Sequence, residues 1–322
     1  MARKIILDVD TGIDDALAIA YALGSPELEL IGVTGTYGNV LVPTGTRNAL
    51  AILELFGRTD VPVYAGPDHA RARDGFEVLD ISKFIHGDNG IGEAEIPDAA
   101  RGVEEQSAVD FMVQSVREHG DDLVIVPVGP LTTVAAAMDA DPEFAERAHI
   151  INMGGALTVP GNVTPWAEAN INQDPEAADL VFRNAADITM IGLDVTLQTL
   201  LTRAETATWE ALGTTGGDFL ATATNYYIGA YDEIAPYLGG CGLHDPLAVA
   251  VAVDPTLTTT LDINLKTDTE GETRGRTIGD ETRLNSAGKT AHVAVGVDVE
   301  RFLAEFMRRL TDLAASTPSS LG

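Results

Sequence analysis

Asp8, Asp10, Asp14 and Asp15 place four carboxylates within eight residues. Like charges this close raise one another's pKa unless a cation or a ligand hydroxyl separates them. A hard divalent cation is the simplest partner, because carboxylate oxygens suit Ca²⁺ or Mg²⁺, whereas Zn²⁺ would draw on Cys or His, which this loop lacks. Packing explains only part of the pattern. Asp14 and Asp15 would favour the positive end of a helix, which leaves Asp8 and Asp10 without a reason.

Further polar groups stand elsewhere in the chain. Asn162, Glu168 and Asn170, in Gly161 to Asn172, are side chains that accept hydrogen bonds and, for Asn, donate them in defined directions, as sugar hydroxyls require. Asp245, between His244 and Pro246, reads either as the N-cap of the apolar helix that follows or as another oxygen ligand. His244 is either a general acid or a polar turn residue. His86 opens the glycine-rich run His86-Gly87-Asp88-Asn89-Gly90, a lid over a ligand or a plain turn.

The elements that must position these groups follow from apolar patterning. Ile5, Ile6 and Leu7 read as a buried parallel strand, and Ala16, Leu17, Ile19, Ala20 and Leu23 continue at helical spacing to Gly24-Ser25-Pro26. The acids therefore sit at a strand's carboxyl end, where open α/β sheets place ligands. Strand-like runs at 28–34, 61–64, 123–128, 148–153, 188–192 and 291–295 alternate with helical stretches. This predicts an α/β fold, a mostly parallel central sheet with helices on both faces. One domain over residues 1–315 with a short tail at 316–322 fits the length. Two long irregular stretches, 66–100 and 156–174, both follow strands and so should reach the same rim.

A net charge of −29 argues against nucleic acid as a partner. The acids are spread along the chain, as on surfaces that work in concentrated salt, where the Debye length near 1 M is about 3 Å. A halophilic source is one expectation. No apolar run is long enough to span a membrane, and the single Cys241 fits a reducing compartment, so a soluble cytoplasmic protein is expected.

Taken together these motifs resemble the nucleoside hydrolases, the inosine-uridine preferring N-ribohydrolase family. The likeness runs from Asp8-Val9-Asp10-Thr11-Gly12-Ile13-Asp14-Asp15-Ala16 through Gly161-Asn162-Val163-Thr164-Pro165 and Glu168-x-Asn170 to His244-Asp245-Pro246. The resemblance implies a Ca²⁺ ion held by Asp10, Asp15, Asp245 and the backbone carbonyl of Val128. It also implies ribose contacts: Asp14 and Asn39 on the 2′ side, Asn170 at the 3′-hydroxyl, Asn162 and Glu168 at the 5′-hydroxyl, and Met153 beneath the sugar. Family members commonly form homodimers or homotetramers.

Cleaving an N-glycosidic bond builds positive charge on the ribose, which fixed carboxylates stabilise. Ca²⁺ acidifies water less than Zn²⁺ does, so a base must take the proton, and Asp10 is the candidate. His244 is the first choice for the leaving-group acid and His86 the second. Tyr227 and Tyr231, four apart on one helical face, fit a nucleobase pocket or the core. Departures from the family pattern at Thr133, Trp166 and Ala169 leave the base preference open, with Trp166 able to refill space beside Ala169. Two other readings remain: a haloacid-dehalogenase-like phosphatase built on Asp8-x-Asp10, and a non-catalytic Ca²⁺-dependent nucleoside-binding protein.

Overall fold

In the computed structural model, which describes residues 2–320, the apolar runs become the strands of one sheet. In chain order these are β1 (Arg3–Val9), β2 (Leu28–Gly35), β3 (Val63–Ala65), β4 (Leu123–Pro127), β5 (His149–Met153), β6 (Asp187–Ile191), β7 (Thr258–Ile263) and β8 (Ala291–Val297). Across the sheet the order is β3-β2-β1-β4-β5-β6-β8-β7. Every pairing is parallel except that of β7 with β8.

Each expected strand is present, and β7 is an addition. Its Thr-rich sequence is largely exposed, so it carries no continuous apolar run to reveal it. An antiparallel edge strand on a parallel sheet is common in such folds.

Helices cover both faces. Leu7, Val9, Leu17, Leu247 and Phe306 belong to one core, and Ile6, Ile125, Ile150, Phe144 and Phe182 to the other. Helices Ile13–Leu23 and His244–Val253 pack against each other on the first face. All residues of His244–Val253 are buried apart from Val253 itself. Each buried Val or Leu stabilises the fold by about 1.5–3 kcal/mol, and this burial offsets the cost of bringing acids together at the two helix starts.

The stretch 66–100 contains the helix Asp80–His86, and 156–174 contains the short helix Ala169–Gln173. After helix Val299–Ala315, the segment 316–320 folds back: the Pro318 carbonyl accepts from Thr215 N–H at 2.9 Å, and Ser320 N–H donates to Gly213 O at 3.0 Å. Among the described residues no helix is long and apolar enough to cross a membrane.

Candidate active site

Strand β1 delivers Asp10 just past its carboxyl end, and the next turn runs straight into helix Ile13–Leu23, which begins with Asp14 and Asp15. Asp15 holds the turn together. Its Oδ1 accepts from the Asp10 N–H at 3.0 Å and its Oδ2 from the Gly12 N–H at 2.7 Å. The Asn39 N–H donates to Asp10 Oδ2 at 2.6 Å. Gly38 is needed for that approach, because it sits at φ +154° and a Cβ there would lie 2.0 Å from Asp10 Oδ2.

Asp14, Asp15 and Asp245 each offer an oxygen within 4.8 Å of the others. Asp10 lies outside that triplet but is tied to Asp15 through the shared turn. All four are buried. Burial, followed by repulsion from Asp15, pushes Asp14 up to about 8 and raises Asp10 well above the usual range. Burial also raises Asp245, with Asp14, Asp15 and Asp10 adding repulsion. Burial lifts Asp15 to about 6 against the pull of its two backbone donors. Asp10 Oδ1 and Asp14 Oδ1 are buried with no hydrogen-bond partner, a costly state for a carboxylate unless a cation meets it. The donor set is all oxygen and fits a hard cation.

Asp8 does not join the group. It accepts from the Thr34 hydroxyl at 2.7 Å, and burial pushes it up to about 7. Of the four acids that open the chain, the sequence spacing therefore overstates the cluster by one.

Asp10, Asp14 and Asp245 line a cavity of about 380 Å³. Asn39, Val128, Met153, Asn162, Glu168 and Asn170 line it as well. Asn170 Nδ2 donates to the Val128 carbonyl at 2.7 Å, leaving that oxygen a second lone pair. Glu168 has a structural duty that the sequence did not reveal. It caps helix Ala169–Gln173, accepting from the N–H groups of Asn170 (2.9 Å) and Ile171 (3.1 Å), and it also accepts from Gly155 (2.9 Å). Asn162 is exposed at the rim, where its Oδ1 accepts from Ala169 N–H at 3.0 Å.

His86, Tyr227, Tyr231 and His244 line the same cavity. The run opened by His86, read as a lid or as a plain turn, starts at a helix end: His86 closes helix Asp80–His86, is buried, and its Nδ1 accepts from Ile13 N–H at 3.1 Å. Burial and His244 hold it down at about 3, and burial holds His244 at about 4, so both rings are neutral near pH 7. His244 Nε2 pairs with the Tyr231 hydroxyl at 2.7 Å. Tyr227 donates to Asp14 Oδ2 at 3.3 Å. Helix Asp80–His86 adds Ile81 and Ile85 to the wall, and Leu197, Ile234 and Tyr237 complete it. The Ile81/Ile85 pair at i, i+4 was the available sequence signal.

Two departures noted in the sequence are displaced from the cavity. Trp166 lies under the Arg276 guanidinium, 5.2 Å from the ring centroid, and is not part of the wall beside Ala169. Thr133 is buried beside Asp8 instead of near a base.

Residues 5–304 match the family model described as inosine-uridine preferring nucleoside hydrolase. The solved purine-preferring ribonucleoside hydrolase from Gardnerella vaginalis superposes with a TM-score of 0.96 at 64% identity, over 97% of this chain and 99% of that one. Probable uridine nucleosidase 2 of Arabidopsis thaliana is 38% identical over 96% of this chain and 98% of its own length. The pyrimidine-specific ribonucleoside hydrolase RihA of Escherichia fergusonii is 35% identical, over 96% and 99%. This chain belongs to the inosine-uridine preferring nucleoside hydrolase family and is a hydrolase acting on N-glycosyl compounds.

Proposed function

We propose that the chain is a Ca²⁺-dependent ribohydrolase that prefers purine ribonucleosides, with Asp10 taking the proton from the attacking water. The observation that carries the reading is the pair of unpartnered buried oxygens, Asp10 Oδ1 and Asp14 Oδ1, in residues that line one cavity with Asn39 and Asn170. Asp10, Asp15, Asp245 and the Val128 carbonyl would hold the cation. When bound, it supplies positive charge that neutralises the acids and anchors ribose hydroxyls.

The chain's own groups account for the rest. Asp14 and Asn39 meet the 2′ side of the ribose, Asn170 the 3′-hydroxyl, and Asn162 and Glu168 the 5′ end, with Met153 beneath the ring. The developing charge on the sugar is stabilised by carboxylates already in place. Asp10 is held by Asn39 at one oxygen, which leaves the other to accept the water's proton. The phosphatase alternative needs Asp8 and Asp10 in one site, and Asp8 is buried against Thr34 instead. The non-catalytic alternative has no support in a chain that keeps every acid of the site.

Purine preference is supported by the 64% identity to a protein named for it, against 35–38% to those named for uridine or pyrimidine. A cytoplasmic homodimer or homotetramer in a salt-rich cell is part of the same proposal. Free ribose released from inosine, adenosine, uridine and cytidine in high salt with Ca²⁺ tests it. Purine turnover should exceed pyrimidine turnover by about tenfold or more. Uridine cleaved as fast as inosine would remove the preference, and no ribose from any nucleoside would remove the function.

The His244 ring depends on Gly242, where a Cβ would lie 2.6 Å from Nε2. Gly242→Ala should therefore displace the imidazole and lower kcat on inosine about tenfold while the fold persists. An unchanged kcat would mean that the ring's position does not matter to the reaction.

A further inference from the structure

Thr196 closes the helix Leu193–Thr196, which follows β6, and is fully buried. Among the described residues its hydroxyl has one hydrogen-bond partner, Nδ1 of His244 at 2.7 Å. His244 Nε2 lies 2.7 Å from the Tyr231 hydroxyl. The Tyr231 and Tyr227 rings meet edge-on with centroids 5.0 Å apart, and Tyr227 donates to Asp14. The side chains form one line from the end of β6 to the acid cluster.

Hydrogen-bond inventory gives this line a direction. A threonine hydroxyl carries one proton. If His244 carried its hydrogen on Nδ1, Thr196 would accept it, and the threonine's own proton would be buried without an acceptor. At the far end, the Asp14 carboxylate only accepts. Every group is satisfied when Thr196 donates to Nδ1 and the Nε2–H donates to the Tyr231 oxygen. Tyr231 then keeps its own proton for Tyr227 or for a ligand in the cavity.

We propose that Thr196 is a positioning residue for the hydrolysis: by fixing His244 as the Nε2–H tautomer, it aims the Tyr231 hydroxyl proton at the departing nucleobase. As the C–N bond breaks, its electron pair goes to the base, and a donor already aimed there is strengthened in the transition state. Tyr231 contributes a hydrogen bond, not a proton. The base departs as an anion and takes its proton from solvent, and Asp10 takes the proton of the attacking water and releases it to solvent. Overall, nucleoside and water give ribose and the neutral free base. This proposal rests on the ribohydrolase reading of the site.

The test compares Thr196→Val and Thr196→Ser on inosine and on p-nitrophenyl β-D-ribofuranoside, whose leaving group is stable as an anion and needs no donor. The ratio of kcat on inosine to kcat on the nitrophenyl riboside should fall about tenfold in Thr196→Val, the value of one aligned hydrogen bond, and return in Thr196→Ser. Equal losses on both substrates, or none on either, overturn the proposal. The imidazole ¹⁵N spectrum, with His244 identified by its loss in His244→Asn, should show a protonated Nε2 in the wild type. A protonated Nδ1 overturns the proposal whatever the activity. If the wild type cleaved neither substrate, the ribohydrolase reading would fail while the spectrum still decided the tautomer.

Discussion

Asp10→Asn should lower kcat on inosine by about 10³-fold, within the range general base catalysis supplies, while leaving the protein folded. Asparagine matches aspartate in shape, and its amide oxygen can still accept from the Asn39 N–H that now holds Asp10 Oδ2. What it loses is the second carboxylate oxygen and the negative charge. Substrate binding should suffer less than turnover, because Asn39, Asn170 and the other groups assigned to the cation, Asp15, Asp245 and the Val128 carbonyl, are untouched.

Stability should move the other way. Asp10 is buried with an unpartnered oxygen and is raised by burial and by repulsion from Asp15. Removing one charge from such a group relieves repulsion, so the metal-free variant should melt about 2–4 °C above the metal-free wild type, the shift that about 1 kcal/mol produces in a large domain. Wild-type turnover in Asp10→Asn would sink the base assignment. Lost turnover with a lower Tm would point to damaged folding instead.

The sequence made the acids legible because strand, turn and helix follow one another without interruption, so spacing alone put Asp10, Asp14 and Asp15 at one rim. Asp245 was legible only as an alternative to a cap. The partnership of its helix with Ile13–Leu23 lies in tertiary packing. Asp8 shows the limit of counting. It shares the motif, but it ends in a hydrogen bond to Thr34 on the neighbouring strand, a contact set by register. Glu168 looked like a ribose ligand and is also a cap, because a carboxylate two residues before Asn170 at a helix start meets free N–H groups in either case.

The base side was least legible. Tyr227 reaches Asp14 across 213 residues of sequence, and the helix that ends at His86 lay in a stretch whose glycines read as a loop. Long-range pairs of this kind leave no local period. Trp166 illustrates the opposite error: a large aromatic near the motif invited a pocket role, and Arg276 claims its face instead.

Metal removal should abolish turnover and expose a pH-dependent stability. Burial and mutual repulsion lift Asp8 to about 7 and Asp14 to about 8, from a usual value of 3.8. In that interval the folded chain holds protons that the unfolded chain has released, so stability falls as pH rises. The buried histidines act in the opposite sense. His86 and His244 are held at about 3 and about 4 from a usual 6.5, so they cost stability only as pH falls below 6.5. Above pH 6.5 only the acids contribute, so the Tm of the metal-free protein should drop as pH rises from 6.5 through about 8. Ca²⁺ should restore turnover, raise Tm at the alkaline end and flatten the slope, because it takes the place of the protons and binds only the folded chain. Melting curves across this range after dialysis against chelator, with and without added Ca²⁺, provide the check. A flat profile in the metal-free protein would mean that the acids do not repel as the buried geometry requires. Turnover that survives the chelator would mean that they stabilise the transition state without a cation.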